Sequence, residues 1–281
     1  LAIHSVTGRG YRLAGPLALL NGPAVRAALG VAAGRMLDQL VVLQSIDSTN
    51  SYVGACEDGL TRACLAEQQT AGRGRDGRAW VSPMAANLYL SVGRDLAPRA
   101  GALGALSLAI GVAVAEVLRD LGAADVGLKW PNDLWIGRAK IGGILIEARA
   151  EATTRTRLVA GLGLNLAMPR AAAAPIDQAW TRLADHVPDL PARSVIAGRC
   201  IDAVLRAIDT FALNGFVVFQ SRWAGFDALY GQAVTLFEPG GQRHGVARGV
   251  AADGSLILDN DGTYERIYSG DVSLRLRAPR G

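Results

Sequence analysis

Apolar residues recur along the chain with a period near two in some stretches and near 3.6 in others, and the switches mark the elements. Ile3 to Leu13 contains two short extended runs around Gly8-Arg9-Gly10, the pattern of a hairpin. Asn21 with Pro23 just inside predicts a helix start, and Val25 and Leu29 give that short helix its apolar stripe. Val41 to Ile46 is a β-branched strand, after which Asp47-Ser48-Thr49-Asn50 supplies capping oxygens for a helix running toward Cys56. Ala63 to Glu67 and Leu88 to Val92 read as strands on either side of a glycine-rich loop. Leu103, Leu106, Ile110, Val114 and Val117 then recur at three- and four-residue spacing, which predicts a long helix from Arg99 to Leu121 closed by Gly122.

Val126 to Trp130, Leu134 to Ile136 and Ile141 to Glu147 are expected strands, with Gly137-Arg138 turning the last two into a hairpin, and Leu158 to Leu166 is another. Val195, Ile201, Val204, Leu205, Ile208 and Phe211 outline an amphipathic helix from Ser194, its expected cap, to Phe211; a second helix ends near Trp223. Met168 to Trp180, with Pro169, an alanine run and Pro175, is expected to be open and poorly packed. After Tyr230 come short strands: Val234 to Phe237, Gly245 to Val250, Leu256 to Leu258, Arg266 to Tyr268 and Val272 to Leu276. Pro239-Gly240-Gly241, Asp253-Gly254 and Asp261-Gly262 break them, a pattern that predicts a small β-barrel.

A chain of 281 residues, 50% hydrophobic and 19% charged, is an ordinary globular one, which excludes disorder and collagen and suggests two domains. Lys and Arg number 29 against 25 Asp and Glu, and a net +4 implies no nucleic-acid or membrane partner unless the cations cluster. Cys56, Cys64 and Cys200 contain no C-x-x-C pair, leaving neither a disulfide framework nor a thiolate zinc site, so a reducing, cytoplasmic setting is expected. His4, His186 and His244 are too scattered for zinc. The apolar run from Ala100 to Ala115 falls short of the roughly 20 residues a membrane span needs and reads as a buried helix. The chain opens on Leu rather than Met, so its start is not expected to be the natural N-terminus.

The cations do cluster. Gly72-Arg73-Gly74-Arg75-Asp76-Gly77-Arg78 carries three guanidinium groups on a loop whose glycines allow close backbone approach to a ligand. It satisfies G-x-G-x-x-G but leads through Pro83 to a strand rather than opening a helix, so it is no dinucleotide fingerprint; Arg78-Ala79 after Gly77 excludes a P-loop. A flexible cationic loop closing over an anionic intermediate fits, with a plain solvated turn as the alternative. Lys129-Trp130-Pro131-Asn132-Asp133-Leu134 sets a Lys and a Trp at a strand end, although a turn without chemistry also explains Pro131 and Asn132. Lys140 borders the apolar strand Ile141-Gly142-Gly143-Ile144-Leu145-Ile146, where it either binds a carboxylate or phosphate or snorkels to water. Gly142-Gly143 removes side chains where something approaches the backbone. Gly161-Leu162-Gly163-Leu164-Asn165 repeats the device and ends on an amide that either reads a purine edge or caps the strand.

Ser45 through Asn50, Ala66 through Arg75, Ser82-Pro83 with Asn87 through Ser91, Lys129 through Leu134, Lys140 through Leu145 and Gly161 through Asn165 stand in the order and approximate spacing of one family. The chain resembles the biotin protein ligases from about Ile3 to Leu276. The resemblance implies an α/β domain of mixed sheet and helices like the class II aminoacyl-tRNA synthetases over residues 21–226 and an SH3-like β-barrel over residues 227–281. Residues 1–20 are similar to the wing hairpin of the winged helix in bifunctional ligase/repressors; the helices that would enter a DNA groove are absent from this chain, so no DNA binding is expected of it.

The implied activity is formation of biotinyl-5'-adenylate from biotin and MgATP, then transfer of biotin to a specific lysine of the biotin carboxyl carrier protein of acetyl-CoA carboxylase. A homodimer is one assembly the family allows; no membrane is involved. Carried over by resemblance, Ser48, Thr49, Asn50 and Gln69 hydrogen-bond the ureido ring, and Trp80 and Gly142 belong to the biotin pocket. Arg73, Gly74 and Arg75 close over biotin and the phosphates, and Lys140 draws the biotin carboxylate toward the α-phosphate. Asp133 orients the incoming lysine amine or assists the metal, so Lys140, Arg75 and Asp133 are the expected catalytic residues. Arg75, Arg78, Lys129 and Asn132 are expected at the nucleotide, with Asn165 and Trp180 holding adenine. Mg2+ is expected with ATP rather than in a thiol or imidazole site. Gln68 stands where some relatives carry an aromatic, and Ala171 to Pro175 is blander than charged versions of the adenylate loop. A lipoate or octanoate ligase on the same scaffold is the alternative enzyme, disfavoured by the Gly-Arg-Gly-Arg loop; a biotin-sensing repressor is the alternative if a complete winged helix precedes this sequence.

Overall fold

The computed structural model describes residues 3–6, 8, 10–13, 17–96, 103–150, 156–238, 241–268 and 273–276. Arg9 at the hairpin tip, Arg99 at the expected start of the long helix, the Pro239-Gly240 turn and Val272 lie outside them. At the start, β1 (Ile3–Val6) pairs antiparallel with β2 (Gly10–Leu13), as expected. Asn21 caps α1 (Gly22–Ala27), its side chain accepting from Ala24 N at 2.9 Å. That helix ends before Leu29, because Gly30 turns extended and caps a second short helix, α2 (Val31–Met36). The sequence pattern missed α2 because Ala32, Ala33 and Gly34 give its faces no contrast.

One sheet organises the next part of the chain. Its strands are β3 (Gln39–Ile46), β4 (Arg62–Gln69), β5 (Leu88–Leu96), β6 (Val126–Lys129), β7 (Asp133–Ile136), β8 (Ala139–Ala150) and β9 (Thr156–Leu164). They lie in the order β3-β4-β5-β9-β8-β7-β6, with β3 and β4 parallel and every other pair antiparallel. Between β3 and β4 runs α3 (Thr49–Gly54); α4 (Leu103–Asp120) follows β5, and α5 (Arg193–Asn214) and α6 (Val217–Ala224) follow β9. Side chains alternate across a strand, so Leu88, Leu90 and Val92 of β5 and Leu162 and Leu164 of β9 join α4 and α5 in the main core. Val53 of α3 instead packs with Cys64 and Val159 in a small second cluster.

Several boundaries differ from the pattern-based ones for identifiable reasons. The strand expected to reach Trp130 stops at Lys129, because Trp130, Pro131 and Asn132 form the turn into β7. The strand expected to reach Leu166 stops at Leu164, because Asn165 N bonds back to Ile141 O and Leu166 N to the Asn87 side chain. Ser194 does not cap α5. It lies inside the first turn, the cap position is Ala192, and Ser194 Oγ accepts from Asn21 N at 2.9 Å, tying α5 to the start of α1. The segment from Met168 to Trp180 is more tied down than expected: Met168 and Ala173 are buried, and Lys140 N donates to Ala179 O while Thr181 N donates to Lys140 O.

The C-terminal sheet is antiparallel, in the order β13-β12-β11-β10-β14, from β10 (Ala233–Glu238), β11 (Gly241–Val250), β12 (Leu256–Asn260), β13 (Thr263–Ile267) and β14 (Ser273–Leu276). Its β11 starts earlier than expected and β13 spans Thr263–Ile267 rather than Arg266 to Tyr268, since the Asp261-Gly262 turn is immediately followed by pairing of Thr263 with Asn260. Trp130 Nε1 donates to Gly254 O at 3.1 Å and Gln220 Nε2 to Val250 O at 2.8 Å, docking this sheet on the first part of the chain. No helix among the described residues is long and apolar enough to cross a membrane.

Gly254 sits at φ 82°, and a Cβ there would lie 2.4 Å from Ala105 Cβ on α4. Gly254→Val therefore combines a left-handed backbone strain with overpacking and should lower stability by about 2–4 kcal/mol. Urea denaturation followed by tryptophan fluorescence should show the midpoint falling; an unchanged midpoint would mean the contact yields freely.

Candidate active site

A cleft of about 680 Å3 opens over the face of the main sheet opposite α4 and α5. Its inner end is built by the start of α3. Ser48 caps that helix, Oγ accepting from Ser51 N at 3.4 Å, and the cap holds Ser48, Thr49 and Asn50 in the cleft wall with all three buried. Gln69, at the end of β4, accepts from Thr49 N at 2.9 Å and Thr49 Oγ1 at 3.1 Å, and its Nε2 donates to Ser82 Oγ at 3.2 Å. Ser91 Oγ lies 2.7 Å from Thr49 Oγ1 and 2.5 Å from Asn50 Oδ1. Asn50 Nδ2 donates to Glu147 Oε2 at 2.8 Å. The result is a fixed set of hydroxyls and amides, each already oriented by a neighbour.

The floor depends on two glycines of β9. A Cβ on Gly161 would lie 2.3 Å from Asn50 Oδ1, and one on Gly163 2.5 Å from Trp80 Cε2. Both positions must be glycine for Asn50 and Trp80 to lie against the strand. Trp80 Nε1 is buried with no acceptor among the described residues, leaving an indole N–H at the cleft wall.

The glycine-rich stretch expected to be a loop folds as a tight hairpin. Gly74 N bonds to Arg78 O at 2.7 Å and Trp80 N to Gly72 O at 2.8 Å, with Asp76 at φ 57° on the tip. Arg73, Gly74, Arg75 and Arg78 all line the cleft. Arg73 is already engaged with its neighbours, donating to Ser51 Oγ at 2.9 Å and to Glu147 Oε1 at 3.2 Å.

A cationic corner stands at the other end. Lys129 and Asp133 face each other across the β6–β7 hairpin, and Lys140 on β8 opposes Trp135. Asp133 receives Lys140 Nζ at 2.6 Å and Lys129 Nζ at 3.6 Å, with all three side chains mostly buried. Lys140 Nζ also sits 5.6 Å from the Trp80 ring centre and Lys129 Nζ 5.2 Å from that of Trp135. Burial pushes the Lys129 ammonium below the ordinary lysine range; Asp133 opposes that shift, while Lys140 and Arg275 add to it. One carboxylate against two ammonium groups leaves surplus positive charge in a poorly hydrated corner, which suits an anionic ligand.

Most residues expected at a site are therefore brought together. Gly142, Asn165 and Trp180 are not part of the cleft lining. A Cβ on Gly142 would meet Leu164 Cδ2 at 2.5 Å, so what approaches that glycine is the neighbouring strand. The buried Asn165 amide donates to Thr181 O at 3.2 Å and accepts from Asn87 at 3.4 Å, and half-buried Trp180 is bridged to Lys140 through the backbone. Asn132 does line the cleft, but its Nδ2 donates to Ile144 O at 2.9 Å and so ties the turn to β8. Sequence reasoning missed Ser82, Ser91, Glu147 and Arg275. Ser91 and Glu147 lie on strands where one polar residue among apolar ones marks the cleft face; Arg275 on β14 had no local signal.

Residues 42–165 match the biotin/lipoate A/B protein ligase family, and residues 230–275 the biotin protein ligase C-terminal domain. The chain is 38% identical over 277 residues to the bifunctional ligase/repressor BirA of Escherichia coli, spanning 97% of this chain and 84% of that protein. It is 35% identical over 253 residues to the biotin--[acetyl-CoA-carboxylase] ligase of Mycobacterium tuberculosis, spanning 86% of this chain and 91% of that one. The solved structure of the biotin protein ligase from Aquifex aeolicus in complex with biotin and ATP superposes with a TM-score of 0.73 at 25% identity, covering 86% of this chain and all of that one. A polar pocket, an arginine hairpin and a lysine-rich corner in one cleft thus coincide with sequence likeness along nearly the whole chain, which belongs to the biotin protein ligases.

Proposed function

We propose that this chain joins biotin to the α-phosphate of MgATP and then passes biotin to a specific lysine of a biotin carboxyl carrier protein. The observation that carries this reading is the polarity of the cleft: a closed end of oriented amides and hydroxyls, a tryptophan-lined middle, and a surplus of cations at the other end. A cyclic urea satisfies the first, its apolar ring and chain the second, and a carboxylate meeting phosphates the third. A lipoyl or octanoyl chain presents no N–H or urea carbonyl to the polar groups of Ser48, Thr49, Asn50 and Gln69, and so gains nothing from the way their neighbours orient them.

In the first step a biotin carboxylate oxygen attacks the α-phosphorus, that P–O bond forms, and the bond to the β-phosphate oxygen breaks to release pyrophosphate. Lys140 and Lys129 screen the repulsion between carboxylate and phosphate, and Arg75, Arg78 and Arg275 add positive potential at the rim. In the second step the carrier lysine amine attacks the acyl carbon, the acyl carbon–oxygen bond to AMP breaks with its electron pair leaving on the AMP phosphate, and the proton of the amine passes to water. Asp133, between the two lysines, orients that amine. Among the described residues no three His, Cys, Asp or Glu side chains gather to hold a metal. Mg2+ would enter as part of the nucleotide, a setting in which it keeps several waters and needs few protein ligands.

The finer fold reading is part of the same proposal: the main sheet with its helices is of the class II aminoacyl-tRNA synthetase type, and the C-terminal sheet is an SH3-like barrel, with boundaries near residues 21, 226 and 227. Asn165 and Trp180 would reach adenine only if the Met168-to-Trp180 segment rearranges around the bound nucleotide.

Incubation with biotin, a biotin carrier domain and ATP labelled on its α-phosphate tests the reaction. Biotin-dependent release of labelled AMP together with biotin on the carrier lysine is expected; release without transfer would confine the activity to adenylation. Lys140→Ala should slow adenylate formation by roughly a hundredfold while transfer from pre-made adenylate falls far less. Equal losses in both steps would make Lys140 a general support of the corner.

Because burial lowers the pKa of the folded Lys129 ammonium below the ordinary lysine range, its attraction for phosphate is present below that lowered value and is lost as pH rises through it. Nucleotide affinity should therefore fall at a lower pH than an ordinary lysine would give, and Lys129→Gln should remove that fall. MgATP titrations monitored by tryptophan fluorescence read both. An identical alkaline fall in the variant would assign it elsewhere.

A further inference from the structure

Glu147 stands on β8 behind the cleft wall and holds two groups that reach it from different elements. Asn50 Nδ2, on α3, donates to its Oε2 at 2.8 Å; Arg73 Nη2, on the arginine hairpin, donates to its Oε1 at 3.2 Å. Asn50 is 5% exposed, whereas the Arg73 and Glu147 side chains are 40% and 38% exposed, so the bond to Asn50 is the better sheltered from water and the ion pair adds modestly.

The two ends of an amide have nearly the same shape, and their partners decide which end donates. The hydroxyl of Ser91, 2.5 Å from Asn50 Oδ1, would serve either end. A carboxylate only accepts, so Glu147 admits only the NH2 end. Turning the Asn50 amide over would set its oxygen against the carboxylate. At the opposite side of the same network, the backbone N–H of Thr49 fixes Gln69 in the same way, by donating to Oε1 at 2.9 Å. Every amide in this end of the cleft thus has its polarity set by a group that cannot reverse.

We infer that Glu147 is a positioning residue for the head-group end of the cleft: it fixes the polarity of Asn50 and steadies Arg73, and so selects a ligand whose N–H donors meet the Asn50 oxygen. This deepens the biotin reading and rests on it, since a cyclic urea presents such donors beside its carbonyl. Glu147→Gln keeps the shape but offers Asn50 both a donor and an acceptor, and it removes the charge that Arg73 meets.

Steady-state adenylation by the full chain, followed through pyrophosphate release, tests the inference. In Glu147→Gln the KM for biotin should rise by roughly tenfold, the scale of one charge-assisted hydrogen bond. The KM for MgATP, kcat and the melting temperature should stay near those of the unaltered protein. A biotin KM within about twofold of the unaltered protein, or biotin and MgATP values rising together, would overturn the role, because general support of the wall does not distinguish the two substrates. Absence of biotin-dependent pyrophosphate release by the unaltered protein would overturn the biotin reading and this inference with it; normal release with an unmoved Glu147→Gln KM sinks the inference alone.

Discussion

One sheet has to bury one face beneath helices and keep the other open to a polar ligand, and β9 is where these demands meet. Side chains alternate along the strand, so Leu162 and Leu164 go to the core while Gly161 and Gly163 face the cleft. The glycines leave the volume that Asn50 and Trp80 occupy. Ser91 and Glu147 then hold Asn50 there and Lys140 stands against Trp80, so the strand, α3 and the arginine hairpin are fixed relative to one another. A slip of one residue in the pairing of β9 with β5 and β8 would bring leucines into the cleft and glycines into the core, so burial of the leucines protects the register on which the site depends.

Two ion clusters show how charge is used differently for holding the fold and for offering a site. Glu67 and Arg193 are nearly fully buried, yet each is satisfied: the Glu67 carboxylate accepts from Arg193 and Leu20 N, and Arg193 also donates to Asn87 O at 3.0 Å and Ala18 O at 2.7 Å. Such a pair stitches α5 to β4, and breaking it costs about 3–5 kcal/mol because the survivor stays buried. Around Asp133 the balance is not closed, since two ammonium groups share one carboxylate and burial disfavours the charge on Lys129. A fold would gain nothing from that surplus by itself. An arriving anion relieves it, so the unfavourable part of the corner's electrostatics is what makes the corner receptive.

Elements with strong contrast between faces were legible from the sequence: α4, α5, the β7–β8 hairpin and the strands of the C-terminal sheet beside their Asp-Gly turns. α2 was not, because alanines and a glycine carry no amphipathic signal, and Ser194 misled because a serine at a helix start looks alike whether it caps its own helix or binds another segment. Among the residues lining the cleft, Arg73 and Lys140 stood out because cationic groups beside glycines or an apolar strand need a partner, whereas Ser48, Thr49 and Asn50 read from the residues alone only as a helix cap and were placed at a ligand by the family resemblance. Asn165 was placed on a ligand, yet its amide is spent on Thr181 and Asn87. An amide at a strand end does either job, and only the neighbours that the fold supplies decide which.

The cationic corner also belongs to both sheets. Trp130, beside Lys129 in sequence, donates its indole N–H to Gly254 O, and Gly254 presses on Ala105 of α4 with no room for a side chain. Arg275 enters the cleft lining from β14, its guanidinium 5.2 Å from the centre of the Phe237 ring. The same docking that buries Trp130 therefore delivers a further positive charge toward Lys129, and that charge contributes to the lowered affinity of Lys129 for its proton. The C-terminal sheet thus contributes Leu274, Arg275 and Leu276 to the lining at the cationic end of the cleft. Placement matters at this end because attraction between fixed charges and an arriving anion is most useful where the charges need not reorganise to meet it.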